Sequence, residues 1–217
     1  MLKDPVLFWN HLCNEANKFD HTSPMQGMSQ GGPTRSSRAT AMVHLVIHDA
    51  FFGIEGSHPK YVALAIPAPA NNQKNLSSAV SGAAHTCLTA LYPHQQKLFD
   101  DGQLEITVSN GVDNTAFEYG RSIAFTLLAL RQKDGADEAK PPYVYSHAKP
   151  HHRSDPLNSQ LEPLGAHWGE IKPFAVNNIT SITTPPAISS PEYKADHDEV
   201  RLKGGASSQS FVTRTAE

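Results

Sequence analysis

Ser37-Arg38-Ala39-Thr40-Ala41-Met42-Val43-His44-Leu45-Val46-Ile47-His48-Asp49-Ala50-Phe51-Phe52 is the stretch that decides the fold. Its apolar residues recur at 39, 42, 43, 46, 47, 50 and 51, the i, i+3, i+4 spacing of one helix face. The spacing predicts a helix from about Ser37 to Ile54. Upstream, Asp4 followed by Pro5 marks another helix start: a capping side chain, then proline at the first helical position. Val6, Trp9, Leu12, Cys13, Ala16 and Phe19 follow at helical spacing. Between the two, Ser23 to Pro33 carries Gly27, Gly31 and Gly32 and reads as a loop.

Downstream, helices are expected over about 76–91 and 114–131. Ala79, Val80, Ala83, Ala84, Cys87 and Leu88 face inward in the first, Phe117, Ala124, Leu127 and Leu128 in the second. Small residues dominate the first, which suits close helix–helix approach. Alternation with period two is weak and confined to Leu104–Val108. The fold class is therefore all-α, a helical bundle over residues 1–134.

From Gly135 to Pro191 the character changes. Pro141, Pro142, Pro150, Pro156, Pro163, Pro173, Pro185, Pro186 and Pro191 break any long helix. Tyr143, Tyr145, Trp168 and Phe174 make the stretch too aromatic for a linker, so residues 135–190 read as an irregular segment that wraps a surface. A last helix is expected from Pro191 to about Gly204. Thr213 to Glu217 resemble the start of another helix, so 191–217 reads as a region completed by residues from elsewhere.

Composition narrows the class. The chain has 217 residues, 39% hydrophobic and 18% charged, with a formal net charge of -3. That fits a globular protein and gives no basic patch for nucleic acid or an anionic membrane. The apolar run around Ile123–Leu130 is far short of the roughly 20 residues of a membrane span. No signal peptide follows Met1-Leu2-Lys3-Asp4-Pro5, so the default expectation is the cytoplasm. Cys13 and Cys87 sit among apolar neighbours and read as buried free thiols rather than a disulfide.

Three constellations could carry chemistry. His44 and His48 share a helix face with Asp49 adjacent, which could meet one metal ion or be ordinary core histidines. His147, His151, His152 and Arg153 could meet a phosphate-like anion or lie in a solvated loop. Ser37-Arg38 followed by His44 could grip an oxyanion, with a guanidinium fork and an imidazole at its apex, though Ala41 and Met42 fill the space between. Asp100-Asp101 reads as a surface turn. No Walker loop and no nucleophile elbow occur, and Gly31-Gly32 lacks a dinucleotide-binding context.

Val6-Leu7-Phe8-Trp9-Asn10-His11, then Glu15, Asn17 and His21-Thr22, resembles the opening helix of the chloroperoxidase-type vanadium haloperoxidases. Gly32-Pro33, Ser36–Ala39 and Met42–Phe52 resemble that family's second helix almost residue for residue. Ala79–Ala84, Leu88–Tyr92, Tyr119-Gly120, Phe125–Leu130, His167 with Trp168–Phe174, and Lys203–Ala206 continue in the same order.

The resemblance implies a mostly helical protein of two four-helix bundles. It also implies a vanadate cofactor, with hydrogen peroxide oxidising halide to a hypohalous species. In the family, vanadate is held by a lysine followed at seven by Arg-Pro, a Pro-Ser-Gly-His, and a Ser-Arg ending in Gly-x-His, all in the C-terminal half. None of the three occurs in this sequence.

The expectation is thus a scaffold and channel-wall half that contributes no catalytic residue and no metal ligand. The vanadate would be held by a missing or partner C-terminal half, a second polypeptide in the latter case, and the pair could form a homo-oligomer. Only Pro33 matches a family position lining the apolar side of the active-site channel. The alternatives are a non-catalytic helical interaction protein, half of an acid-phosphatase-like enzyme, or a small metal-binding protein using His44, His48 and Asp49.

Overall fold

The computed structural model describes residues 2–22, 28–146, 148, 151–155, 157–176, 182–205 and 213. Gly27, His147, Pro150, Pro156, Ala206 and 214–217, used in the readings above, lie outside them. The described residues form six α-helices and no strand: α1 Pro5–Thr22, α2 Gly32–Glu55, α3 Gln73–Leu91, α4 Gln96–Asn110, α5 Asn114–Arg131 and α6 Pro191–Lys203. The chain is all-α, as its periodicity predicts. No helix among the described residues is long and apolar enough to cross a membrane. Two compact units form: residues 1–141 with 164–172, and 142–163 with 173–217.

In the first unit, α3 is the central helix, packed on α1, α2, α4 and α5. A helix covered on every side must be free of charge all round, and α3 buries Ser77 through Ala84 without a break. The side chains in that run are small, so the neighbouring backbones come close. A Cβ on Gly82 would sit 2.1 Å from the Phe117 carbonyl oxygen of α5, and one on Gly120 would sit 1.9 Å from the Ala79 carbonyl oxygen of α3. The pairing of α3 with α5 is thus a backbone-to-backbone contact.

Side-chain caps fix the helix starts. Asp4 Oδ1 accepts the Val6 and Leu7 amides at 2.9 and 3.0 Å, Asn72 caps Asn75, and Asp113 caps Ala116. α2 has no side-chain cap; Pro33 stands in its first turn and Gly56, at φ 90°, closes its end. The apolar stripes predicted for α2 and α3 are the buried ones, Phe51 of α2 being only half-buried. Trp9 of α1 is fully buried, and its indole N–H donates to Ser81 Oγ at 3.0 Å. Cys13 and Cys87 are free and buried, and burial pushes both thiols up.

The structure corrects the inward reading of Phe19 and the turn reading of Asp100-Asp101, and it places the Leu104–Val108 alternation on a helix. Phe19 faces outward, 43% exposed, and Asp20 takes the inward position. The reason is polar: the Asp20 carboxylate accepts the Ser29 and Gln30 amides, both at 2.8 Å, and so shapes the chain between α1 and α2. The weak alternation at Leu104–Val108 belongs to a helix, not a strand. α4 buries Phe99, Gly102 and Ile106, one helical face, and leaves Leu104 and Val108 exposed. Asp100 and Asp101 therefore lie on a helix rather than in a turn. Asp100 meets His85 at 2.7 Å and Asp101 pairs with Lys97.

The second unit holds little regular structure besides α6. Tyr143, Tyr145 and His152 form a ring cluster with centroids 5.1–6.0 Å apart. Tyr145 donates its hydroxyl to the Leu161 carbonyl at 3.0 Å, and Asp155 Oδ1 accepts the Leu157 amide at 2.9 Å. α6 is capped by Ser190 and buries none of its residues.

Candidate functional site at the start of the second helix

The oxyanion pattern Ser37-Arg38…His44 is the first to test. Arg38 is buried, and its guanidinium is already committed. Nε donates to Asp134 Oδ2 at 2.8 Å and Nη2 to the Arg131 carbonyl at 3.0 Å. Arg131, itself buried, reaches the same Asp134 oxygen at 2.7 Å and donates to the Lys172 carbonyl. The Lys172 amide returns to the Asp134 carbonyl at 2.9 Å.

The Asp134 carboxylate thus joins α2 to the end of α5, while the Asp134 carbonyl and the Arg131 guanidinium hold residue 172. Burial alone would raise the Asp134 carboxyl. The Arg38 bond, the Ala136 amide and the two guanidinium charges outweigh it and hold the group below the usual carboxylate range. His44 meanwhile stands 3.1 Å from Asn10 Oδ1 of α1. These residues do not fit a vanadate site: the guanidinium fork is spent on a structural carboxylate and the imidazole on an amide of another helix.

The metal pattern separates in the same way. His48 Nδ1 meets Asp49 Oδ1 at 3.0 Å, while His44 turns to α1. Asp49 is buried, and its carboxylate accepts the Tyr61 and Val62 amides at 2.8 and 2.7 Å. It pins the connection after α2. Among the described residues, no group of three or more His, Cys, Asp or Glu side chains is arranged to hold a metal ion. In the third cluster, His152 joins the tyrosine rings, whereas His151 and Arg153 line a cavity.

Pro33 lies exposed in the first turn of α2. His21 fixes that start: its Nδ1 donates to the Asn17 carbonyl at 2.8 Å and its Nε2 accepts the Gly32 amide at 3.1 Å. Gly32 has φ 80°, and a Cβ there would meet the Leu164 side chain at 3.0 Å; a Cβ on Gly31 would meet Met28 at 3.2 Å. Met28 and Leu164 are 63% and 69% exposed. The result is an apolar rim of Met28, Pro33 and Leu164 around the N-terminus of α2. The place of Leu164 beside Gly32 was not visible in the sequence, because the two lie far apart along the chain. The Arg131–Asp134 pair left a fainter signal, an acid three residues after an arginine at a helix end.

Leu164 is carried by residues 164–172, which His167 ties down. Its Nδ1 faces Glu170 Oε1 at 3.0 Å and its Nε2 faces the Pro141 carbonyl at 3.0 Å. Two acceptors favour the doubly protonated ring, so the Glu170 bond first and the Pro141 bond second raise His167 above its ordinary 6.5. A raised histidine contributes stability below that ordinary value and loses it as pH rises through the folded one. We expect the His167 ring resonance to titrate above 6.5 by NMR, and Glu170→Gln to bring it back toward that value. Titration at 6.5 in both proteins would mean that these bonds are not held in solution.

The fold and this site define a helical bundle domain whose buried charges are structural and whose candidate ligand-facing surface is apolar. A family model, the vanadium chloroperoxidase N-terminal domain, matches residues 3–164, and the chain belongs to that family. The vanadium chloroperoxidase of Curvularia inaequalis is 27% identical over 261 aligned positions, which cover 97% of this chain and 42% of the relative. The chain therefore spans less than half the length of that relative.

Proposed function

We propose that this chain is the scaffold and channel-wall half of a vanadium-dependent haloperoxidase. A C-terminal vanadate-binding half would oxidise halide with hydrogen peroxide beside it. The observation that carries this reading is the commitment of Arg38 and His44. The one pattern here that imitates a vanadate grip is used to hold helices together. Pro33, with Met28 and Leu164, would form part of the apolar channel wall. Exposed Phe125 and Leu130 on α5, and Leu104 and Val108 on α4, offer apolar surface for the partner. An obligate pairing of this kind buries a large, hydrophobic interface, typically above about 2,000 Å².

The test is to co-express the chain with a family C-terminal half that carries Pro-Ser-Gly-His. Complex formation and peroxide-dependent bromination with orthovanadate are then measured. The pair is expected to co-purify and to brominate, and this chain alone is expected to be inactive. Turnover by the chain alone would show that it binds vanadate itself. Failure to form a complex would favour a non-catalytic interaction protein.

A further inference from the structure

We propose that Asn110 is a site of spontaneous deamidation, held closed by the docked N-terminal segment of the chain. Asn110-Gly111 is the only Asn-Gly pair in the sequence. Such a pair is chemically labile, because glycine has no Cβ to shield its amide nitrogen from the asparagine side chain before it. The Gly111 nitrogen attacks Asn110 Cγ, a C–N bond forms, the bond to Nδ2 breaks and ammonia leaves. Water then opens the five-membered imide at one carbonyl or the other, leaving aspartate or isoaspartate. The reaction needs water and no other reagent.

The structure engages the groups that this reaction uses. The Lys3 amide donates to Asn110 Oδ1 at 2.9 Å, and Asn110 Nδ2 donates to the Lys3 carbonyl at 2.8 Å and to Ser77 Oγ at 2.9 Å. The carboxamide thus pairs with the backbone of Lys3 and with a buried serine of α3. Both Nδ2 hydrogens are spent. The Gly111 amide in turn donates to the Thr107 carbonyl at 2.9 Å, at the end of α4. Ring closure requires Cγ to approach that amide nitrogen, and three bonds to other parts of the chain oppose it. Gly111 itself is exposed, so water reaches the imide once it forms.

The N-terminal segment is the part of this clasp that can leave. A chain end is ordered only by what ties it down. Leu2 is exposed, and the Lys3 side chain adds only an ion pair with exposed Glu105 and a place over the Phe8 ring, 5.0 Å from its centroid. Exposed pairs of this kind hold little. Fraying of residues 2–4 removes two of the three bonds at once and leaves the bundle folded. The product then keeps the clasp open. A carboxylate has no N–H for the Lys3 carbonyl and would set an oxygen against it. Isoaspartate also lengthens the backbone by one carbon at the end of α4.

The test incubates the full chain in mildly alkaline buffer and quantifies aspartate and isoaspartate at position 110 by peptide mapping. A peptide of residues 106–115 is the unclasped reference. Asn110 of the folded chain is expected to react at least about tenfold more slowly than the peptide, a protection within reach of two or three net hydrogen bonds. Lys3→Pro, which removes the Lys3 N–H, should speed the reaction at least threefold. Lys3→Ala keeps both backbone bonds and should stay near the parent, and circular dichroism checks that both variants keep their helices. In Asn110→Asp, which carries the product's side chain, the amide signals of residues 2–4 should move toward random-coil positions by NMR. A parent that reacts at the peptide's rate would overturn the proposal. So would equal rates in Lys3→Pro and the parent, or unmoved signals in Asn110→Asp.

Discussion

Gly120→Ala is expected to destabilise the first unit by roughly 3 kcal/mol or more, at or beyond the usual upper end for overpacking. The new methyl would sit 1.9 Å from the Ala79 carbonyl oxygen and 2.9 Å from the Ala83 amide nitrogen, so it meets backbone on the facing helix. Backbone cannot turn aside as a side chain can, and α3 is held on its other sides by α1, α2 and α4. Alanine's better helix propensity returns about 1 kcal/mol, too little to offset the clash. Gly82→Ala should behave alike, with its methyl 2.1 Å from the Phe117 carbonyl oxygen. Gly169→Ala meets nothing within 4 Å and should stay within about 0.5 kcal/mol of the parent. Urea denaturation followed by circular dichroism decides. Equal midpoints for all three variants would mean that α3 and α5 are further apart than described.

Asp134→Ala should have the second large effect, a loss of about 3–5 kcal/mol. The substitution removes the shared partner of two buried guanidiniums, those of Arg38 and Arg131. It also removes the acceptor of the Ala136 amide. Because the Asp134 carboxyl is held below its ordinary value, its contribution is present above that value and fades as pH falls through the lower folded one. The stability difference between parent and variant should therefore shrink in acid. Thermal melts at pH 7 and pH 3 check this; a gap of the same size at both would mean that the ion pairs carry none of the loss.

Much of the bundle was legible because its helices repeat apolar residues at helical spacing. α2 and α3 could be drawn from that spacing alone. α4 could not: its buried face is only Phe99, Gly102 and Ile106, and a Cβ on Gly102 would sit 2.4 Å from Leu12 Cδ1, so the glycine admits α1. The candidate chemistry was legible only as residue types. Arg38, His44 and Asp49 look alike in sequence whether they grip a ligand or a neighbouring helix. Their partners, Asp134, Asn10 and the Tyr61–Val62 amides, lie 96, 34 and 12–13 residues away. The family motifs, being contiguous, were readable where the long-range pairs were not.

The small-residue surface of α3 bears on how the protein is made. On the ribosome, α1, α2 and α3 emerge before α5, and residues emerge at about 5–20 per second. Until Phe117 and Gly120 arrive, the Gly82 side of α3 has no backbone to close against, and its serines and glycine hold a helix poorly by themselves. That side of α3 is therefore expected to stay open until α5 has emerged. The Arg131–Asp134–Arg38 junction then locks α5 to α2, so the helix that closes the small-residue face of α3 is also the one the buried charges hold in place.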